Sequence, residues 1–207
     1  MTPEADTNTV AADHVALVGP SMPLLSATFF ERPAPDVAAD LIGAGLWLDS
    51  VGGSIVETEA YEIGDPASHS FNGPSPRNAA MFGPTGHAYV YRSYGIHWCF
   101  NIVCGVPGSA VLVRALAPEA GLSCMRQRRG RDPIRDLCRG PGRLCQALGI
   151  EARHDGLPLL IPPFALTEAP ERPSIVTGPR IGITKGTETP WRFGWRGSAF
   201  LSRAFRL

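Results

Sequence analysis

Residues 55–101 read IVETEAYEIGDPASHSFNGPSPRNAAMFGPTGHAYVYRSYGIHWCFN, setting carboxylates, tyrosines, histidines, an arginine and an asparagine among short apolar runs. A segment built only to fill a core has no need of that inventory. Successive side chains of a strand point to opposite faces, so the alternation predicts Ile55, Glu57 and Glu59 on one side and Val56, Thr58 and Ala60 on the other. Two carboxylates then line one face where the strand ends. Tyr89, Tyr91 and Tyr94 come after a Pro/Gly-rich loop that holds His69 and Arg77. Aromatic faces and an acid from two elements can therefore converge on one pocket, a combination suited to gripping a flat ring.

The elements that must position these groups are short. Asp36 is placed to cap a helix carrying Val37, Leu41 and Ile42 on one side, with Gly43 and Gly45 stopping it. Residues 46–48 and 54–60 read as a hairpin across the turn 49–53, and residues 65–78 as a loop. The β-rich runs 87–91, 97–104 and 110–116 are broken at Gly83-Pro84, Tyr94-Gly95 and Pro107-Gly108. Connections this short predict a mostly antiparallel sheet, since parallel pairs need long crossovers. Residues 121–129 have helical spacing with a basic C-terminal end. The run LCRGPGRL leads into a second helix ended by Gly149. Its glycine turn either offers backbone N–H groups to a phosphate, as a helix-hairpin-helix turn does, or is a plain turn before a core helix. Residues 161–173 read as an insertion loop, and residues 180–183 and 191–193 as closing strands. The expected fold class is α/β (α+β): a single compact domain over residues 22–207 with a mixed, mostly antiparallel curved sheet flanked by short helices. Residues 1–21, polar, acidic and aperiodic, read as a disordered tail.

A length of 207 residues suits one such domain, and 23 glycines with 20 prolines argue against a helical bundle. The five cysteines, Cys99, Cys104, Cys124, Cys138 and Cys145, show no C-x-x-C spacing, and no signal peptide precedes them, so a reduced cytosolic setting is expected. No metal is expected, because the isolated His14 and His154 carry no ligand spacing, and no cofactor is expected. No apolar run reaches the length of a membrane span. The net charge of zero hides an asymmetry. Residues 1–76 carry eleven acids against Arg32 alone, whereas residues 77–143 carry ten arginines against Glu119, Asp132 and Asp136. A polyanion is bound by a local patch rather than by the net charge, so the middle of the chain is either a nucleic-acid surface or a solvated arginine face.

The ordered blocks IVETEAY, ASHS, SPRN, MFGPTGHAYVY, YGIHWCFN, VLVRALAPEAG, LCRGPGRLCQALGI, PRIGI and PWRF, running from about Leu24 to Phe200, give the chain a resemblance to a known family. It resembles the mammalian-type alkyladenine (3-methyladenine) DNA glycosylases, which also occur in bacteria. The resemblance implies a monomeric, cytoplasmic and nucleoid-associated enzyme that acts on double-stranded DNA containing damaged purines. It would hydrolyse the N-glycosidic bond and leave an abasic site. Carried over residue by residue, Glu59 would activate the attacking water, and Arg114 with the backbone of Ile181 would help hold it. Tyr61, His69 and Tyr91 would wall the pocket for the flipped base. Asn101 at its floor would obstruct the amino group of normal guanine, and Tyr94 would be the wedge filling the gap in the duplex.

The chemistry asks for similar parts. A base inside a duplex must be rotated out to be reached, and stacking on Tyr61 and Tyr91 offsets part of the unstacking cost. An aromatic beside a tight glycine turn, as in Tyr94-Gly95, is well shaped to hold the duplex open. Breaking the sugar–base bond builds positive charge on the sugar, which an ionised Glu59 can stabilise while it accepts a proton from water. Arg77 and Arg143 are candidates for phosphate contacts. Other readings stand beside these: Glu57 structural, Tyr89 in cross-strand packing, Arg114 in a buried ion pair with Glu57 or Glu59, and Asn101 satisfying backbone groups. At the level of the whole chain, the alternatives are a non-catalytic nucleic-acid-binding module and a hydrolase of free nucleosides.

Overall fold

In the computed structural model, which describes residues 22–205, the sheet is assembled on β2 (Val51–Tyr61). One edge of β2 pairs with β5 (Ala110–Ala120), while the other is shared by β1 (Gly45–Leu48) and, further along, β8 (Arg192–Trp195). From β5 the sheet continues through β4 (His97–Val103) to β3 (Ala88–Ser93), and from β1 to β6 (Phe164–Thr167), while β8 also pairs with β7 (Ile175–Gly178). Every one of these pairings is antiparallel. A strand paired on both edges has no solvated backbone, and two glutamates on β2, Glu57 and Glu59, are fully buried on its face.

Three helices, α1 (Ala34–Asp40), α2 (Leu122–Arg129) and α3 (Pro141–Leu148), cover one face of the sheet. The alternation of β3, β4 and β5 sends Ala88, Val90, Phe100, Ile102, Val111 and Val113 into the core on that side. Tyr89, Tyr91, Asn101, Leu112 and Arg114 line a cavity on the other. The sheet is thus dry against the helices and chemical on its opposite face. Packing fixes this choice, because a one-residue slip in any strand would exchange the two sets of side chains.

Several local expectations change. Asp36 is not the cap of α1 but lies in its first turn; Pro33 occupies the cap position and a proline falls within the first two helical residues. Val37, Leu41 and Ile42 are buried as expected. Gly45 does not stop the helix but opens β1. The hairpin turn shrinks from five residues to Asp49-Ser50, since Leu48 already pairs with Val51. Gly52 and Gly53 lie inside β2 because a Cβ there would run into Leu46 or the Ala117 carbonyl. Residues 161–173 contain β6, whose Phe164 and Leu166 are buried, so only part of that segment is loop. The closing strands fall at β7 and β8, whereas residues 180–183 form a loop. The tail expected over residues 1–21 lies outside the described residues.

The register of β2 against β5 skips Val56 on one strand and Arg114 on the other. Each irregularity rotates the side chains beyond it. Ile55 consequently joins Ala60 in the core, and Thr58 reaches the Ala38 carbonyl of α1 at 2.8 Å, so Ile55 does not share a side with the glutamates.

Candidate active site

The carboxylate of Glu59 lies fully buried at the end of β2, and both its oxygens are held. Its Oε1 accepts the backbone N–H of Ile181 at 2.7 Å. Its Oε2 accepts Arg114 Nη1 at 3.1 Å and the Tyr61 hydroxyl at 2.9 Å. Burial pushes the Glu59 carboxyl above the usual glutamate range, by more than Arg114, the Ile181 N–H and the Tyr61 hydroxyl draw it back. Such a group is a stronger base than an exposed carboxylate. The same Arg114 donates through Nε to Glu57 Oε1 at 2.9 Å, so the ion pair left open by the sequence is made to both glutamates.

Around this acid opens a cavity of about 890 Å³, whose lining includes Glu59, Tyr61, His69, Tyr91, Asn101, Arg114 and Ile181. Tyr91 stacks on Tyr89 with ring centroids 5.4 Å apart and meets His69 edge-on at 4.4 Å. His69 Nδ1 is hydrogen-bonded to the Tyr89 hydroxyl at 2.9 Å. Burial, and then the charge of Arg77, lower the His69 pKa below the usual histidine value, which favours the neutral ring. Asn101 Nδ2 donates to the Tyr89 carbonyl at 3.0 Å, which stops the amide from swinging out of the cavity.

Two loops close the cavity and are tied together behind it. Arg180, buried, donates to both oxygens of Asp65 and to the Ala60 carbonyl, and its guanidinium lies 4.7 Å from the Tyr61 ring centroid. The segment carrying Ile181 and the segment leading to His69 are thereby fixed to β2. At the mouth, the β3–β4 hairpin ends in Tyr94-Gly95-Ile96, with Ser93 paired to His97. Tyr94 is 91% exposed and has φ of 50°, an uncommon conformation for a residue other than glycine. A large aromatic held in that way outside any core is not there for packing.

Of the residues singled out in the sequence, Glu59, Tyr61, His69, Tyr91, Tyr94, Asn101, Arg114 and Ile181 meet in this one cavity, and Arg77 stands exposed on its lining. Arg143 does not line the cavity; it is exposed on the first turn of α3, whose Gly142 sits against His97 of the hairpin. Lys185, the chain's only lysine, is exposed and also outside the lining. Tyr89 is more than cross-strand packing. It lines the cavity and holds His69, and its two-residue offset from Tyr91 is the signal in the sequence that places both on one face. Asp65, Arg180, Arg192 and Ser202 also belong to the site through contacts at great sequence distance.

The chain matches the family described as Methylpurine-DNA glycosylase (MPG) over residues 28–199. Among curated relatives, one from Rhodopseudomonas palustris (strain HaA2) is 59% identical over 89% of this chain and 92% of its own length. One from Nitrobacter winogradskyi is 57% identical over 91% and 93%, and one from Granulibacter bethesdensis 61% over 84% and 85%. Each carries the name "Putative 3-methyladenine DNA glycosylase".

Arg114 is paired with two buried carboxylates, so Arg114→Met should destabilise the fold by roughly 3–5 kcal/mol, as removing one partner of a buried pair does. The deficit should depend on pH. Without Arg114 the Glu59 carboxyl is raised further, and a carboxyl with a raised folded-state pKa contributes stability below its unfolded value that is lost as pH rises through the folded one. Urea unfolding should therefore show a smaller gap from wild type at pH 5 than at pH 8; a gap of constant size would place the charge elsewhere.

Proposed function

The chain belongs to the methylpurine-DNA glycosylase family, and from that premise we propose that it excises alkylated or deaminated purines from double-stranded DNA by monofunctional hydrolysis. The substrates of this reading are 3-methyladenine, 7-methylguanine, hypoxanthine and ethenoadenine. The observation that carries it is the buried Glu59 carboxylate, pinned by three donors on the lining of a cavity walled by Tyr61, His69 and Tyr91. No substrate base can reach Glu59 while stacked in a duplex, so the geometry calls for a flipped nucleotide. Tyr94, exposed at the tip of a strand hairpin beside the cavity mouth, is the wedge that replaces it.

In this reading the flipped base lies among Tyr61, Tyr91 and His69, and C1′ of its sugar comes next to Glu59. As the N-glycosidic bond breaks, its electron pair leaves with the base: an alkylated purine that carries a positive charge departs neutral, and a neutral purine such as hypoxanthine departs as an anion that takes up a proton from solvent. The cationic sugar faces the Glu59 carboxylate. A water held there adds to C1′ through oxygen and gives its proton to Glu59. Arg114 and the Ile181 N–H donate to Glu59 itself, so their service to the water is to aim the carboxylate that receives its proton. Asn101, fixed to the backbone, presents a rigid obstacle to the exocyclic amino group of guanine. Arg77 beside the cavity and Arg143 on α3 are the proposed phosphate contacts of a monomer.

Base release from a hypoxanthine or methylated-purine duplex under single turnover tests the proposal. Glu59→Gln should lower the rate by at least ~10²-fold, the usual contribution of a general base, and leave affinity for an abasic-analogue duplex unchanged. In wild type the rate should fall on the acid side at a pH above 4.5, the ordinary glutamate value, because Glu59 must be ionised to work and burial raises its pKa. Near-normal excision by Glu59→Gln would sink the assignment.

Tyr94→Ala should weaken binding to lesion duplexes more than binding to undamaged ones, as measured by equilibrium titration of both. Equal losses would reduce Tyr94 to a surface contact.

A further inference from the structure

We infer that Glu57 is a positioning residue for the proposed reaction: it holds Arg114 by its Nε edge, so that Glu59 receives a single guanidinium N–H and stays a usable base. The inference rests on Glu59 being that base. Glu57 is fully buried and does not line the cavity, so it has no route to substrate. Nevertheless it accepts four hydrogen bonds. Arg114 Nε, Arg192 Nε and Ser202 Oγ reach its Oε1 at 2.9, 2.8 and 2.7 Å, and the Ser202 backbone N–H reaches Oε2 at 2.5 Å. The third nitrogen of Arg114, Nη2, is 3.4 Å from Ser202 Oγ. Each nitrogen of Arg114 thus has its own acceptor, and only Nη1 faces Glu59.

The C-terminal segment completes the clamp. Arg192 donates through Nη2 to the Arg203 carbonyl at 2.5 Å and has the Phe205 ring 3.8 Å from its guanidinium carbon. Residues 202–205 therefore form a strap that touches Glu57 through Ser202 and Arg192 through Arg203 and Phe205. The skipped register that leaves Arg114 without a ladder partner on β5 places its guanidinium between the two glutamates.

Charge explains why sharing matters. Glu57, Glu59, Arg114 and Arg192 sum to zero. Without Glu57 the two guanidiniums would face Glu59 alone, Arg114 would be free to turn both edges toward it, and a carboxylate so paired is a poor proton acceptor. The other titratable groups facing Glu59 are Tyr61 on β2 and Cys99 on β4, while Arg180 on the closing loop faces the Tyr61 ring and the Ala60 carbonyl. The negative charge of Glu57 also pushes the Glu59 carboxyl upward, in the same direction as burial.

Single-turnover release of hypoxanthine from a duplex, followed across pH for the full-length protein and its Glu57→Gln variant, tests the inference. Glu57→Gln should be slower by about tenfold or more at neutral pH and should move the acid limb to lower pH. Its affinity for an abasic-analogue duplex should stay that of wild type. An acid limb in the wild-type position would overturn the inference, whatever the loss of thermal stability. Should Glu57→Gln fail to fold, Ser202→Ala decides the matter. It keeps all four charges and removes one donor to Glu57, so a rate reduced by about tenfold with unchanged DNA affinity supports the clamp, and a wild-type rate overturns it. Glu59→Gln is run alongside: activity persisting there refutes Glu59 as the base, a failure distinct from an unmoved limb in Glu57→Gln.

Discussion

Arg114 divides its guanidinium between Glu57 and Glu59, at 2.9 and 3.1 Å, inside a sheet whose backbone is paired on both sides. Burying even one carboxylate alone is strongly unfavourable, and burying two within one strand adds their mutual repulsion. The protein accepts this burden at the place where its chemistry is proposed. Arg114 and Arg192 compensate the charge, while Ser202, Ile181 and Tyr61 donate hydrogen bonds to the carboxylate oxygens. A group of this kind is rigid because every partner is held by another.

That constraint accounts for much of the architecture. β2 must be central, since only a strand flanked by β5 on one edge and by β1 and β8 on the other can carry two glutamates away from solvent. The register must slip at Val56 and Arg114, because an unbroken alternation would put Ile55 on the same face as the glutamates. The chain must return after residue 195 to deliver Ser202. On the cavity side, similar reasoning covers the loops. Asp65 and Arg180 form a buried pair that fixes the segments carrying His69 and Ile181, and Tyr89 holds the His69 ring from the sheet. Tyr94, by contrast, stands out into solvent at a strained turn.

The legibility of these features in the sequence depends on how far apart the partners are. Glu59, Tyr61, His69, Tyr91 and Asn101 lie within 43 residues of one another in blocks of recognisable order, and the class of fold comes from short β-rich runs with short connections. Arg192 and Ser202 lie 135 and 145 residues from Glu57, with nothing local to mark them as its partners. Val56 is apolar and sits in an unbroken β-rich run, so the slip it causes leaves no trace in the alternation. β6 is obscured because a four-residue strand inside the segment from Pro163 to Pro170 looks like loop until β1 is there to pair with it. Tyr89 is legible from its spacing to Tyr91, but pairing across strands explains a tyrosine there equally well, and only the His69 contact separates the two.

In the proposed mechanism water, prepared by a carboxylate that the sheet holds in place, is the nucleophile, and no amine of the protein attacks the sugar. Lys185, the only lysine, is exposed and outside the cavity lining. An amine nucleophile would pass through a Schiff base with the sugar, which borohydride reduces to a stable covalent adduct. Incubating the protein with a hypoxanthine duplex and borohydride, and resolving the products by denaturing electrophoresis, therefore separates the two chemistries. The account predicts released base and an abasic strand with no protein attached. A trapped complex that forms efficiently and disappears in Lys185→Ala would contradict it.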